Sequence, residues 1–346
     1  MKHLLPLGLI LLLSACARNT PIDPAVLAPP SPAASVAPSP DHVILPQDDA
    51  PHDDLTEWWY YTGHLAAAGG KTYGFELVVF QALRDTDPPA YAAHFALTDN
   101  ARNDFHFQQR AETGKQVRAG PGFDLNLSGW SMKGAGGHDH LAADMPDYAI
   151  DLNLMSLKPA VLHEGKGLIT YGAPGFSYYY SRTRMDLTGV ITDHGQQLPV
   201  TGLAWMDHQW GNFVSSGGGW DWFSMQLNDG SELMLYFLRD PQGNPGQPYG
   251  TYVAPDGRPT ILPPSDFSQT ALGSWQSPAD GVTYPSGWQI KAGDASLTLT
   301  PTVKDQELRT GQSTGITYWE GDVAITGTKA GQAVSGQGYV ELVGYH

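Results

Sequence analysis

Short runs of alternating apolar and polar positions recur from Glu57 to Val343, and they read as strands. Residues 57–65 and 71–83 flank Gly69-Gly70 and predict a hairpin. Residues 91–98 and 104–108 predict two more strands, and 138–141 with 148–155 another pair, the second alternating cleanly. Ser177–Tyr180 leads into a run from Arg182 to Thr192, and the turn Asp193-His194-Gly195 feeds Leu198–Met206. The run Ser215–Gly219 predicts a wide turn. Trp220–Leu227 and Glu232–Leu238 flank Asn228-Asp229-Gly230, a strong hairpin signal. Strands follow near 250–254, 282–291 and 295–301, and 316–325 with 332–343 closes the chain. No stretch longer than about ten residues has helical apolar periodicity. The pattern predicts an all-β chain of antiparallel strands in barrels or sandwiches. Glu57–Gly63 loosely echoes Tyr318-Trp319-Glu320-Gly321, as two similar β units would.

A length of 346 residues suits two domains. Hydrophobic residues make up 41% and charged ones 16%, enough for a substantial core under a lightly charged surface. The 40 Gly and 27 Pro fit many turns. Net charge is −16 with no basic run, which argues against nucleic-acid binding by phosphate neutralisation. The same charge is repelled by anionic lipid head groups and otherwise favours solubility.

The one cysteine changes the picture. Lys2 and His3, an apolar run from Leu4 to Leu13, and Ser14-Ala15-Cys16 have the layout of a secretory signal. Leu13–Cys16 resembles a bacterial lipobox, which makes Cys16 the expected lipidation site and mature N-terminus. Ala17 after the cysteine favours the outer membrane in such lipoproteins. Residues 17–50 are Pro- and Ala-rich and are expected to be an extended linker, with Asp48-Asp49 and Asp53-Asp54 solvated. The folded part then divides into residues 51–214 and 215–346.

The candidate chemistry lies in two aromatic stretches, Glu57–Leu65 and Gly202–Gly211, which are expected to meet at one aromatic-walled cavity. On a strand, Asp207 and His208 face opposite sides, whereas His208 and Trp210 share one. His208 and Trp210 are therefore expected to line the cavity, with Asp207 anchoring backbone or an arginine such as Arg182 or Arg184. Glu57 beside Trp58-Trp59 reads as an acid whose pKa burial raises, or as a structural partner of an arginine or backbone N–H groups. Trp58, Trp59, Trp220 and Trp222 suit a lipophilic ligand or a barrel core. His94 shares a face with Ala92 and Ala96, which leave it room. His138 and His140 are a possible ligand pair, but they lack a third member and follow a Gly-rich stretch, Gly134 to Gly137, that suggests an exposed loop, so no metal is expected. There is no Gly-x-Ser-x-Gly elbow, and Ser215-Ser216 lie in a flexible run, so serine-hydrolase chemistry finds no support. Gly217–Gly219 lacks the Lys-Ser/Thr of a phosphate loop.

Five motifs in order, Glu57–Leu65, Ala93–Ala96, Trp205–Gly211, Trp220–Phe223 and Tyr318–Gly321 with Gly336–Leu342, resemble the AttH-like family. That family includes the carotenoid 1,2-hydratases. The resemblance implies two lipocalin-like (calycin-type) β-barrel domains with a site at or near their junction. It also implies addition of water to an isolated C=C bond without a cofactor, using a general acid and aromatic faces that stabilise a carbocation. Hydratases of this type are expected to carry Tyr-x-Asp on a following strand; here the stretch is Tyr236-Phe237-Leu238, with Leu238 at the acid position.

The expected catalytic residues are Asp207, His208, Trp210, Tyr236 and Glu57, and the expected ligand contacts Trp58, Trp59, His94, Trp220 and Trp222. The expected partner is an apolar, isoprenoid-like small molecule. The alternative is a periplasmic carrier or sensor that holds such a molecule in the same cavity without turnover.

Overall fold

The computed structural model describes residues 38, 40–84, 88–114, 116, 120–171, 175–213 and 218–346. Cys16, the signal, most of the linker and Ser215–Gly217 lie outside the described residues. The described chain is strand and turn, with only four three-residue 3-10 helices.

The first sheet contains β1 (Thr56–Ala67), β2 (Thr72–Ala82), β3 (Ala90–Asp99), β4 (Asp104–Thr113), β5 (Phe123–Leu127), β6 (Trp130–Ala135), β7 (His138–Met145) and β8 (Tyr148–Ser156). It is completed by β9 (Val161–Leu162), β10 (Leu168–Thr170), β11 (Phe176–Asp193) and β12 (Gln196–Gly211). Its order is β4-β3-β2-β1-β12-β11-β8-β7-β6-β5, with β9 and β10 also on β11. The sheet curls into a barrel-like form whose edges meet through side chains. Ser128 Oγ donates to Glu112 Oε2 at 3.2 Å, Asn126 N–H donates to Gln116 Oε1 at 2.9 Å, and the Arg110 guanidinium lies 4.3 Å over the Trp130 ring.

The second sheet contains β13 (Gly219–Leu227), β14 (Glu232–Arg239), β15 (Tyr249–Val253), β16 (Pro259–Ile261) and β17 (Phe267–Ala271). A separate small hairpin pairs β18 (Ser274–Gln276) with β19 (Thr283–Pro285). The second sheet continues with β20 (Trp288–Ala292), β21 (Ala295–Pro301), β22 (Glu307–Arg309), β23 (Thr317–Lys329) and β24 (Gln332–Val343). Its order is β16-β15-β14-β13-β24-β23-β21-β20-β17, with β22 on β23.

Strand alternation gives each sheet two apolar faces. One face of the first sheet, with Trp59, Tyr61, Phe75, Phe95 and Trp210, fills its own barrel. One face of the second, with Phe223, Trp288, Leu297 and Trp319, does the same. The remaining faces of β1, β2, β11, β12, β13, β14, β15 and β24 pack on each other through Tyr60, Val78, Tyr179, Trp205, Trp222, Met234, Tyr249 and Tyr339. Burial on both faces explains why these strands read as near-continuous apolar runs.

Three expectations need correction. The end of the linker is folded: Val43 is buried and Asp49 is not solvated but 1% exposed, accepting hydrogen bonds from Tyr180 and Arg182 side chains and the Gly136 N–H. The Gly-rich stretch before His138 is not one exposed loop: Gly134 and Ala135 end β6, and only Gly136-Gly137, both at positive φ, make the turn into β7. The expected strand 282–291 is two strands, β19 and β20, broken at Ser286-Gly287, where Gly287 has φ 81°.

Gly321 is required by close approach. A Cβ there would lie 1.9 Å from the Trp319 ring, and that ring is fixed by Trp288 at 5.8 Å and by its N–H donating to the Lys304 carbonyl at 2.8 Å. Gly321→Ala is expected to cost about 2 kcal/mol through overpacking. Urea denaturation checks this, and an unchanged midpoint would show that the ring can yield.

Candidate functional site

The two aromatic stretches meet because β1 and β12 are antiparallel neighbours, with Glu57 opposite Trp210 and Trp59 opposite His208. These four side chains point into the first barrel and are buried there. Trp59 stacks on His208 at 4.7 Å, and His52 stacks on Trp210 at 4.0 Å. Glu57 is fully buried among donors. Its Oε1 faces His52 Nδ1 and His208 Nε2, each at 2.8 Å, and its Oε2 accepts the His52 backbone N–H at 2.9 Å and Gln81 Nε2 at 3.0 Å.

Of the two readings of Glu57, these contacts favour the structural partner of backbone N–H groups over the raised acid. Burial pushes its carboxyl up, but the hydrogen bonds from His208 and His52 outweigh burial and hold it below its ordinary value. Burial lowers His208 against the pull of Glu57. In His52 the bonds to Asp48 and Glu57 overcome burial and raise the ring to about 9. His52, Glu57 and His208 are also the group whose donor atoms could converge on a metal ion, all within 4.8 Å of one another. His138 and His140 are not such a group; His140 Nε2 is 2.9 Å from Asp151.

Asp207 points the other way, onto the second sheet. It is not held by an arginine, since Arg182 pairs with Asp49 and Arg184 with Glu232. Tyr179 OH and Ser181 Oγ donate to it at 2.5 Å and Trp205 Nε1 at 2.8 Å. Burial nevertheless lifts its carboxyl to about 6.

The seam between the sheets holds three acids that sequence reasoning missed: Glu76, Glu320 and Glu341. Glu76 and Glu320 are 1% and 0% exposed. Glu320 on β23 sits directly opposite Glu341 on β24, which puts two carboxyls side by side on one face. Burial and mutual repulsion push Glu320 well above its ordinary value, with Glu76 and Glu341 both contributing; burial raises Glu341 to about 7. Tyr60 OH donates to Glu320 Oε1 at 2.7 Å, and Trp220 Nε1 donates to Glu341 Oε2 at 2.6 Å. Glu320 Oε2 is buried without a protein partner, so the proton of a neutral Glu320 belongs on that free oxygen.

Glu76 stands at the end of a buried polar chain that begins at Gln109. Gln109 Oε1 accepts the Gln312 N–H at 3.1 Å and the Ser313 hydroxyl at 2.8 Å. Ser313 Oγ also lies 3.0 Å from His94 Nε2. Burial lowers His94 to about 3, so it is neutral and carries one hydrogen. Its Nδ1 lies 2.7 Å from Tyr318 OH. Tyr318 OH donates to Glu76 Oε1 at 3.0 Å. Burial pushes the Glu76 carboxyl well up, and its Oε2 is also unpartnered.

The predicted residues thus separate by strand face. Glu57, Trp59, His208 and Trp210 lie in the first barrel. Trp58, His94, Asp207, Trp220, Trp222 and Tyr236 lie on the seam, where Trp58, Phe80, Tyr171, Trp220 and Tyr236 are only partly buried. A groove of about 680 Å³ beside His138, His140 and Met155 is lined by none of these residues. The missed acids had a signal: Glu76 is a lone charge inside Phe75–Phe80, while Glu320 and Glu341 stand in the two parts of the fifth family motif.

The fold and seam define a protein of two barrel-like antiparallel sheets packed face to face. The chain belongs to the AttH-like family, whose model matches residues 36–345. It is similar to a solved AttH from Nitrosomonas europaea, with 31% identity and a TM-score of 0.81 over 91% of this chain and 100% of the other. It is 24% identical over 301 residues to kievitone hydratase of Fusarium solani subsp. phaseoli, covering 82% of this chain and 81% of that one. The structure of kievitone hydratase from Nectria haematococca shares the fold at 18% identity and a TM-score of 0.71, covering 91% and 97% of the two chains.

Glu341 makes stability depend on pH. Its folded pKa of about 7 lies above its ordinary 4.5, so its stabilising share is complete below 4.5 and is lost as pH rises through 7. Between pH 4.5 and 8 the wild type should lose about 3 kcal/mol relative to Glu341→Gln. Urea denaturation of both at pH 5 and pH 8 checks this, and parallel curves would contradict it.

Proposed function

We propose that the protein adds water across a C=C bond of an apolar, isoprenoid-like substrate at the seam between its sheets. The observation that carries this reading is Glu320: a buried carboxyl raised well above its ordinary value, with one unpartnered oxygen, among aromatic side chains. Its setting in an AttH-like chain similar to kievitone hydratase supports the same class of reaction. Glu320 takes the part that the resemblance assigns to the position of Leu238, but from β23, three strands along the same sheet.

In the first step Glu320 Oε2 gives its proton to one alkene carbon; the π electrons form the new C–H bond, leaving a cation on the other carbon. The ring faces of Trp58, Phe80 and Trp222 stabilise that charge. Water, accepted as a hydrogen-bond donor by the free Oε2 of Glu76, forms the C–O bond with its lone pair. The proton released from the oxygen returns to the Glu320 carboxylate. Alkene and water become alcohol, and the enzyme is unchanged. Asp207, with three donors already on it, orders Tyr179, Ser181 and Trp205 behind Trp222.

The test is incubation with kievitone and with an apolar extract of the protein's own cells, read by mass spectrometry. Wild type is expected to add one water to a bound alkene, and Glu320→Gln to lose about 100-fold or more in rate while keeping affinity. A molecule bound but unchanged by wild type would favour the carrier reading instead.

The signal pattern supports placement at the bacterial cell envelope, lipid-anchored through Cys16 on the periplasmic side of the outer membrane. Cys16→Ser is expected to stop labelled palmitate incorporation and release the protein from the membrane fraction; unchanged labelling would refute the anchor.

A further inference from the structure

We infer that His52, Glu57 and His208 form a binding site for one divalent transition metal ion, with zinc the best match to two imidazoles and a carboxylate. This inference does not rest on the hydration reading, because the three residues lie inside the first barrel rather than on the seam.

Three features distinguish the cluster from an ordinary buried ion pair. The first is convergence. His52 Nδ1 and His208 Nε2 both aim at Glu57 Oε1 from 2.8 Å, from a segment before β1 and from β12. Two imidazoles and one carboxylate oxygen are the donor set of many zinc sites. The second is that each donor is oriented by a further partner, as metal ligands are. Glu57 Oε2 is fixed by the His52 N–H and by Gln81, which leaves Oε1 as the single ligand oxygen. His52 Nε2 faces Asp48 at 3.7 Å, and His208 Nδ1 faces Tyr180 OH at 3.3 Å. The third is access. Glu57 and His208 side chains are fully buried, but that of His52 is 19% exposed, so a fourth position can be reached by solvent from that side.

Without metal, the two rings direct their N–H groups at one oxygen. On loading, the ion takes the place of those hydrogens, and each ring nitrogen withdraws from Glu57 Oε1 by about half an ångström to leave room for bonds of about 2.0–2.1 Å. With Glu57 and Asp48 ionised, a doubly charged ion leaves the group neutral. The ion would tie the segment before β1 to the end of the barrel, where His52 already stacks on Trp210.

The experiment is titration of the full, chelator-stripped chain with Co²⁺ and Zn²⁺, followed by visible absorption, metal analysis and proton release. The expected result is one ion per chain, the intense visible bands of four-coordinate cobalt, and release of protons on binding. His52→Ala, a change at the exposed member that circular dichroism can confirm as folded, is expected to weaken binding by more than about 100-fold. Glu57→Gln should do the same, whereas His140→Ala should bind as wild type. Absence of stoichiometric metal on folded wild type, or binding by His52→Ala and Glu57→Gln as tight as that of wild type, would overturn the site. Loss of binding in His140→Ala alone would also overturn it, by placing the ion elsewhere.

Discussion

The structure depends on packing two sheets face to face, each already committed on its other side to its own barrel. Strands with two buried faces have no solvent side for polar residues. Every carboxyl on the inner strands is therefore forced either into a hydrogen-bonded network or into the neutral form. Asp207 illustrates the first outcome, with three donors around it. Glu320 and Glu76 illustrate the second, each with one oxygen satisfied by a tyrosine and the other left free. Paired ionised acids at cross-strand neighbours would repel strongly in this setting, so the geometry itself favours protonation.

The β1–β12 pair serves both sides of the first sheet at once. One residue of shift along β12 separates Asp207 on the seam from His208 in the barrel, and the same shift along β1 separates Trp58 from Glu57. The two polar centres are thus held rigidly back to back by a single ladder. A one-residue slip in that ladder would exchange their side chains, which ties the integrity of both to the same register.

Much of the fold was legible because alternation and turn chemistry agree locally: Asn228-Asp229-Gly230 joins β13 and β14, and Gly69-Gly70 joins β1 and β2. β5 and β6 escaped notice although Phe123, Leu125 and Leu127 alternate with polar residues, because each run is only five or six residues long between glycine turns. The opposed directions of Asp207 and His208 followed from strand geometry alone. Which of them would meet the facing sheet did not, because that depends on how the barrels stack. The state of Glu57 was hidden for a similar reason: its partner His208 is 151 positions away. Glu320 and Glu341 become a pair only through the β23–β24 register, and their ordinary appearance in the sequence gives no sign of repulsion.

The central claim is that Glu320 is a neutral acid at neutral pH. Infrared spectroscopy in D₂O at pH 7.5 reads it directly, comparing wild type with Glu320→Gln. A neutral Glu320 gives a protonated-carboxyl C=O stretch in wild type that is missing in the variant. An ionised Glu320 gives no such difference band and instead a loss in the carboxylate region, which would remove the proton donor on which the proposed chemistry stands.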